Sequence, residues 1–313
     1  MIEIKEDSII LTVKKNKFDL PFLWLRDNCQ CDECRITETQ EKQFLLHSVP
    51  VDIVPNHVEE IDNNIKIIWP DGHKSLIPID LIKNSYLPRY PDQCEWPEEF
   101  QPEKYSWKEF LDSNEIAIEA LKTFVRFGVI ILKDAPKESN SLEFLAKRLG
   151  PINEVLFERI HNVSVTGHVY NVAHTPKGLP PHNDFASYKS QPSVQVLHML
   201  ENECEGGESI IVDGWQVAKD LRDEMPEHFS ILQNFNVPFR EFDEENETYA
   251  EAPLIKCATD GTIESFRYSN QLMQMIDPRK EGIREFYKAY HEISLRVHNK
   301  KYRSTFRLNG GEA

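Results

Sequence analysis

Apolar and polar residues alternate at the start of the chain. Ile2 and Ile4 are followed by Ile9, Ile10, Leu11 and Val13, a period near two that predicts strand over 2–13. Phe18 to Leu25 is a second apolar stretch. Ile65-Lys66-Ile67-Ile68-Trp69 predicts another strand, closed by a turn at Pro70-Asp71-Gly72 with His73 directly after it. These elements predict a small β-rich unit over residues 1 to about 85. It has few large apolar residues to bury, and units of this size commonly need a staple.

The period changes beyond a Pro- and aromatic-rich stretch that carries Tyr86, Pro88, Tyr90, Pro91, Trp96, Pro97 and Pro102. From Trp107, Phe110, Leu111, Ile116, Ile118, Ala120, Leu121, Phe124 and Val125 recur at helical spacing and stop at Phe127-Gly128. Val129–Leu132 predicts a buried strand. Ser141–Leu149 predicts a helix with Leu142, Leu145, Ala146 and Leu149 on one face and Ser139 or Ser141 as its cap. From residue 163 onward short strands follow. Val194–Leu200 predicts one, Ser209–Val212 its return partner, and Tyr302–Leu308 another, with helices around 215–222, 226–234 and 283–299. Short strands with Gly-rich turns predict an antiparallel double sheet of the jelly-roll kind. The expected architecture is mainly β with flanking helices. A small N-terminal domain over 1–90 and a linker over 91–106 precede a jelly-roll domain over 107–313.

Net charge sharpens this picture by exclusion. At −16 over 313 residues, the chain repels nucleic acid and anionic membrane alike. No apolar run reaches the roughly 18 residues that a bilayer span requires. The first residues, Met1-Ile2-Glu3-Ile4-Lys5-Glu6-Asp7, lack the apolar core of a signal peptide, so a cytoplasmic protein is expected.

Two clusters carry candidate chemistry. Of six cysteines, Cys29, Cys31 and Cys34 fall within six residues. In a reducing compartment such clustering reads as metal binding rather than disulfides. C-x-C-x-x-C offers three thiolates to a structural zinc, whose tetrahedron needs a fourth ligand. His73 and His47 are the candidates, and the strand–turn position favours His73. The second cluster is Pro180-Pro181-His182-Asn183-Asp184-Phe185. If this segment is a strand, His182 and Asp184 project to one face. They would then supply two members of the 2-His-1-carboxylate triad that binds Fe(II) with positions left open.

Taken in order, several motifs resemble one family: Trp24-Leu25-Arg26-Asp27-Asn28-Cys29, Trp69-Pro70-Asp71-Gly72-His73, Asn171-Val172-Ala173, His182-x-Asp184, and Gly206-Gly207-Glu208-Ser209 with Val212-Asp213-Gly214. The chain is similar throughout to the γ-butyrobetaine and trimethyllysine dioxygenases, which are TauD-like hydroxylases dependent on Fe(II) and 2-oxoglutarate. The resemblance implies a zinc-bearing N-terminal domain held by Cys29, Cys31, Cys34 and His73. It also implies a jelly-roll domain with iron on His182 and Asp184, and a substrate pocket that includes Asn171 and Asn270. The second iron histidine and a 2-oxoglutarate-binding arginine are expected beyond Ala313, so the 313 residues by themselves are expected to be inactive. A small amine or betaine and O2 are the implied partners, and a homodimer is compatible with the pattern.

The family holds a trimethylammonium group in an aromatic cage. By spacing from Asn171, the cage positions fall on Phe157, His161 and His174. Imidazole is a poorer π surface and becomes cationic near its ordinary pKa of about 6.5. The expected substrates are therefore of two kinds, γ-butyrobetaine-like or an aminophosphonate hydroxylated next to phosphorus. The rival readings are a zinc-stabilised jelly-roll binding module without iron chemistry, and a jelly-roll hydrolase or isomerase using another metal.

Overall fold

The computed structural model describes residues 2–84, 93–156, 159–163, 178–203, 205–243 and 245–313. The chain divides into two compact units, Met1–Tyr90 and Pro91–Ala313. Among the described residues it forms fourteen strands and eight α-helices.

The first unit is two three-stranded antiparallel meanders. β1 (Ile2–Ile4), β2 (Ser8–Val13) and β3 (Asn16–Pro21) form one; β4 (His57–Ile61), β5 (Asn64–Ile68) and β6 (Lys74–Pro78) form the other. Alternation decides which side is buried. Ile9 and Leu11 of β2, Ile65 and Ile67 of β5 and Ile77 of β6 have no exposed surface. They pack with Leu20, Phe22, Leu25 and Trp69 into one core. The indole N–H of Trp69 donates to Ser75 Oγ at 2.8 Å, so its burial leaves no orphan donor. The apolar stretch over 18–25 bends at Pro21 into the short helix α1 (Phe22–Asp27), which leads into the cysteine loop. Helix α2 (Ile79–Asn84) follows β6.

In the second unit, β7 (Lys104–Ser106) pairs in parallel with β8 (Ile131–Lys133) across two helices. The helical run expected from Trp107 is split. Ser113 ends α3 (Trp107–Asp112) and caps α4 (Asn114–Phe127), accepting from the Ile116 N–H at 3.4 Å. Gly128, at φ +80°, closes α4 in the left-handed region. Helix α5 (Leu142–Leu149) begins after Ser141, whose hydroxyl turns back to the Glu138 carbonyl rather than capping.

The main core of this unit is built around β10 (Val237–Phe242), β11 (Glu247–Ala252), β12 (Ile255–Cys257) and β13 (Ile263–Phe266). Helices α6 (Gly214–Glu224), α7 (Pro226–Asn234) and α8 (Ile283–Val297) also line it. Phe286, Ala289 and Ile293 recur on one face of α8, and Phe286 stacks on Phe235 with centroids 4.5 Å apart. Buried Arg296 ties α8 to α6 through Glu224 at 2.7 Å, with Glu292 at 2.9 Å.

One strand pairing differs from expectation. β9 (Ser209–Val212) takes β14 (Arg303–Phe306) as its partner, not Val194–Leu200. That stretch has no ladder beyond a single bridge from Met199 to Glu312, and Val194, Val196 and Leu197 face outward. A short apolar run does not by itself determine which strand pairs with it. Residues 311–313 instead run between the β8 segment and Met199. Leu132 and Ala313 exchange both backbone hydrogen bonds, and Ala135 and Met199 bond Gly311 and Glu312.

This threading leaves no room at Gly310, where a methyl group would lie 2.8 Å from the Leu200 carbonyl oxygen. Gly310→Ala is therefore expected to destabilise the protein by about 1–3 kcal/mol. Urea unfolding would show this as a lower midpoint with an unchanged slope.

Candidate metal centres

The first centre lies wholly in the N-terminal unit. The loop after α1 folds tightly, with the N–H groups of Cys34 and Arg35 both bonding the Cys31 carbonyl at 2.9 Å. The turn after β5 is closed by Gly72 N–H to Trp69 O at 3.0 Å, and it lifts His73 into the loop. His73 Nε2 then lies 3.3 Å from Cys29 Sγ, 3.6 Å from Cys31 Sγ and 3.5 Å from Cys34 Sγ. The four ligand atoms all lie within 4.8 Å of one another. One ring nitrogen cannot share a proton with three sulfurs. The distances are instead those of a tetrahedron's edges: zinc bonds of about 2.3 Å to sulfur and 2.0–2.1 Å to nitrogen give S···N near 3.6 Å.

The surroundings fit the same reading. His73 Nδ1 donates to Glu33 Oε2 at 3.2 Å, which leaves Nε2 as the bare donor atom. Asp71 accepts from the His73 backbone N–H at 2.9 Å. Arg26 donates to Cys34 Sγ at 3.3 Å, and its guanidinium lies over the Phe44 ring at 4.0 Å. Burial pushes the Cys34 thiol up to about 12, opposed by the Arg26 hydrogen bond and reinforced by Cys29. A dication displaces such a proton where water does not. His47, the other candidate, lies exposed on a short 3-10 turn over 46–48.

The second centre is in the larger unit. His182 and Asp184 do come together, with Nε2 3.0 Å from Oδ1. They do so from a turn and not from a strand: the segment joins no ladder, and Phe185 takes φ +53°. His182 Nδ1 donates to the Pro180 carbonyl at 2.8 Å. Both ring nitrogens therefore face acceptors. Either the ring carries two protons, or a cation lies between Nε2 and the carboxylate. Two bonds of about 2.1 Å at a right angle, as in an octahedral shell, also put donor atoms about 3.0 Å apart. Gln195 donates to the far oxygen, Asp184 Oδ2, at 2.7 Å. Among the described residues, no third His, Cys, Asp or Glu atom joins this pair at ligand spacing.

Two residues in sequence hold the turn in place. Asn183 N–H bonds the Tyr268 carbonyl, and Tyr268 N–H bonds Asn183 Oδ1, both at 2.7 Å. Arg267, nearly buried, donates to the carbonyls of Ala186 and Tyr188, the latter at 2.8 Å. Sequence reasoning missed Arg267, Tyr268 and Gln195; a lone Arg or Gln 11 or more residues from the motif gives no local signal. Of the expected pocket residues, His161 is exposed and its charge acts on Asp184. Asn270 accepts from the Tyr290 hydroxyl at 3.2 Å. Phe157, Asn171 and His174 lie outside the described residues.

A family profile described as taurine catabolism dioxygenase TauD, TfdA family matches residues 90–313. A second, described as γ-butyrobetaine hydroxylase-like, N-terminal, matches residues 2–77. The chain is 30% identical to dioxygenase str8 of Strobilurus tenacellus over 94% of its length and 73% of that protein's. It is 29% identical to γ-butyrobetaine dioxygenase of Pseudomonas sp. (strain AK-1), over 93% of the chain and 78% of the relative. It is 27% identical to mitochondrial trimethyllysine dioxygenase of Homo sapiens, over 72% and 56%.

Two expectations follow from the geometry. Purified protein is expected to carry about one zinc per chain by elemental analysis, and Cys31→Ser to lose it; full retention of zinc in that variant would refute the tetrahedral reading. The second concerns the metal-free chain. There His182 is held above its ordinary 6.5, chiefly by the hydrogen bond to Asp184, and Asp184 below its ordinary 3.8, chiefly by the bond from His182. The histidine's share of stability is complete below 6.5 and fades as pH rises through the raised value. The aspartate's share is complete above 3.8 and fades as pH falls through the lowered value. In an NMR titration, Asp184→Asn is expected to bring the His182 midpoint down; an unchanged midpoint would show that the pair is not formed in solution.

Proposed function

The chain belongs to the TauD, TfdA family of dioxygenases, and from that premise we propose that it hydroxylates an unactivated C–H bond of a small cationic amine with Fe(II), 2-oxoglutarate and O2. The observation that carries this reading is the His182–Asp184 pair, whose 3.0 Å separation matches one edge of an octahedral shell. The named activities of the relatives, on γ-butyrobetaine and trimethyllysine, support a small amine as the substrate class.

In this reading His182 Nε2 and Asp184 Oδ1 hold the iron. Pro180 fixes the imidazole tautomer, and Gln195 ties down the other carboxylate oxygen so that only Oδ1 is free to bind. Iron and 2-oxoglutarate, when bound, supply the oxidising chemistry, in which the co-substrate becomes succinate and CO2 and the substrate gains a hydroxyl. The protein's share is orientation. The Asn183–Tyr268 and Arg267 contacts fix the turn so that both ligand atoms point the same way. The Cys29, Cys31, Cys34 and His73 site has all four of its positions filled by protein, which suits a structural zinc with no part in turnover.

His161 near Asp184 supports a second substrate reading, in which a histidine contacts an acidic group such as a phosphonate. Succinate formation by the full-length protein, assayed across γ-butyrobetaine, trimethyllysine and aminophosphonates, separates the two. Turnover is expected to need Fe(II), 2-oxoglutarate and O2, and to fall at least about 100-fold in His182→Ala. Amine-dependent turnover that survives in that variant would remove the iron assignment.

A further inference from the structure

Strand β10 carries an irregularity next to the His182–Asp184 turn. Val237 and Phe239 point into the core, at 0% and 1% exposure. Alternation puts Glu241 on that same side, where an apolar residue belongs. Its carboxyl oxygen Oε2 is buried without a hydrogen-bond partner. Its neighbours locate it. Thr248, across the ladder from Glu241, shares a 2.8 Å hydrogen bond with Ser187, in the turn that begins at Asp184. Burial and then the charge of Asp184 hold the Glu241 carboxyl above the usual carboxylate range.

The other flank of β10 repeats the pattern. Phe239 bridges Met273, with Arg240 N–H bonding Leu272 O at 2.9 Å. Gln271 lies in the turn just before that bridge, a turn closed by the Met273 N–H on the Ser269 carbonyl at 3.2 Å. Both polar atoms of the Gln271 side chain are buried and unpartnered, and so is the hydroxyl of Ser269, which is 3% exposed. Ser269 directly follows Tyr268, the residue that clamps Asn183. Four unmade hydrogen-bonding positions therefore lie on the two segments that flank the His182–Asp184 turn, β10 and the stretch that follows Tyr268. Buried polar atoms left unpaired carry their full desolvation cost, so such a concentration needs a ligand to account for it.

We propose that Glu241, Gln271 and Ser269 form a polar subsite that binds the substrate's cationic nitrogen through N–H groups. In its ionised form Glu241 only accepts, and the partner that favours that form is a donor with positive charge: a protonated primary, secondary or tertiary amine. A quaternary ammonium has no N–H to give. It suits a cage of aromatic faces and would leave Glu241 unsatisfied. The subsite thus deepens the hydroxylase reading, on which it rests for the fate of the bound amine, and narrows the substrate class to amines that keep at least one N–H.

A matched pair of probes tests this. Protonated 4-(dimethylamino)butyrate keeps one N–H, and γ-butyrobetaine replaces it with a methyl. Calorimetry on the full-length protein, loaded with Fe(II) and 2-oxoglutarate without O2, is expected to show the dimethylamine binding about 10- to 100-fold more tightly. Glu241→Gln and Gln271→Leu are each expected to erase most of that preference, the dimethylamine losing more affinity than γ-butyrobetaine. Thermal stability of Glu241→Gln should hold or rise, because an uncompensated buried carboxylate is gone. Equal binding of the two probes, or a preference intact in folded Glu241→Gln, overturns the subsite. If γ-butyrobetaine drives succinate formation without that preference, the subsite falls and the hydroxylase reading stands. Glu241-dependent amine binding without succinate from any amine leaves the subsite standing and removes the hydroxylase reading.

Discussion

The turn that carries His182 and Asp184 depends on a guanidinium that has no carboxylate partner among the described residues. Arg267 is nearly buried, and burial works against its charge. It is accommodated by the carbonyls of Ala186, Tyr188 and Lys189, and by the face of Phe239 at 5.9 Å. A carbonyl-only shell of this kind is selective. It orders a loop that joins no ladder among the described residues, and it does so through backbone carbonyl dipoles rather than a further carboxylate. Tyr268 completes the grip two atoms at a time on Asn183. His182 and Asp184 lie on either side of the clamped residue, so the geometry of the pair follows from a backbone that cannot slide.

The two candidate metal centres use one device in different settings. In each, the imidazole of the candidate ligand gives one ring N–H to an oxygen, Glu33 in one case and the Pro180 carbonyl in the other. The orientation of the ring is then decided before any metal arrives. They differ in what the remaining positions are. Three sulfurs complete a four-ligand set with His73, whereas His182 and Asp184 have no third ligand atom at that spacing among the described residues. A closed site suits stability and an open one suits chemistry.

Much of this was legible in the sequence because its signal is local. Cys29, Cys31 and Cys34 share one loop, and the Pro70-Asp71-Gly72 turn singled out His73 over His47. The alternation of Ile65 and Ile67 and the helix expected over 283–299, found over Ile283–Val297, come directly from strand and helix geometry. What was not legible depends on partners far away in the chain. β9 was assigned the wrong neighbour because pairing is decided by which strand arrives, and β14 lies nearly a hundred residues on. The His182–Asp184 approach was right in outcome but not in cause, since a turn at Phe185 and not strand alternation brings the side chains together. Arg267 and Glu241 were invisible for the same reason: an isolated charge shows its burial only once its neighbours are known.

The threading of residues 303–313 has a consequence for biosynthesis. In the first unit the meanders close through short turns, so its strands can pair as soon as they leave the ribosome. In the second, Ser304 bonds the Phe100 carbonyl across 204 residues of sequence, and Glu312 meets Lys104 across 208. Contacts of such high order carry their loop-closure cost before they return any stability. The nascent larger unit must therefore wait, with Leu132 and Trp107 lacking part of their cover, until residues 303–313 have been made. Exposure to chaperones and to aggregation is concentrated in that interval, and it falls on the larger unit rather than on the N-terminal one.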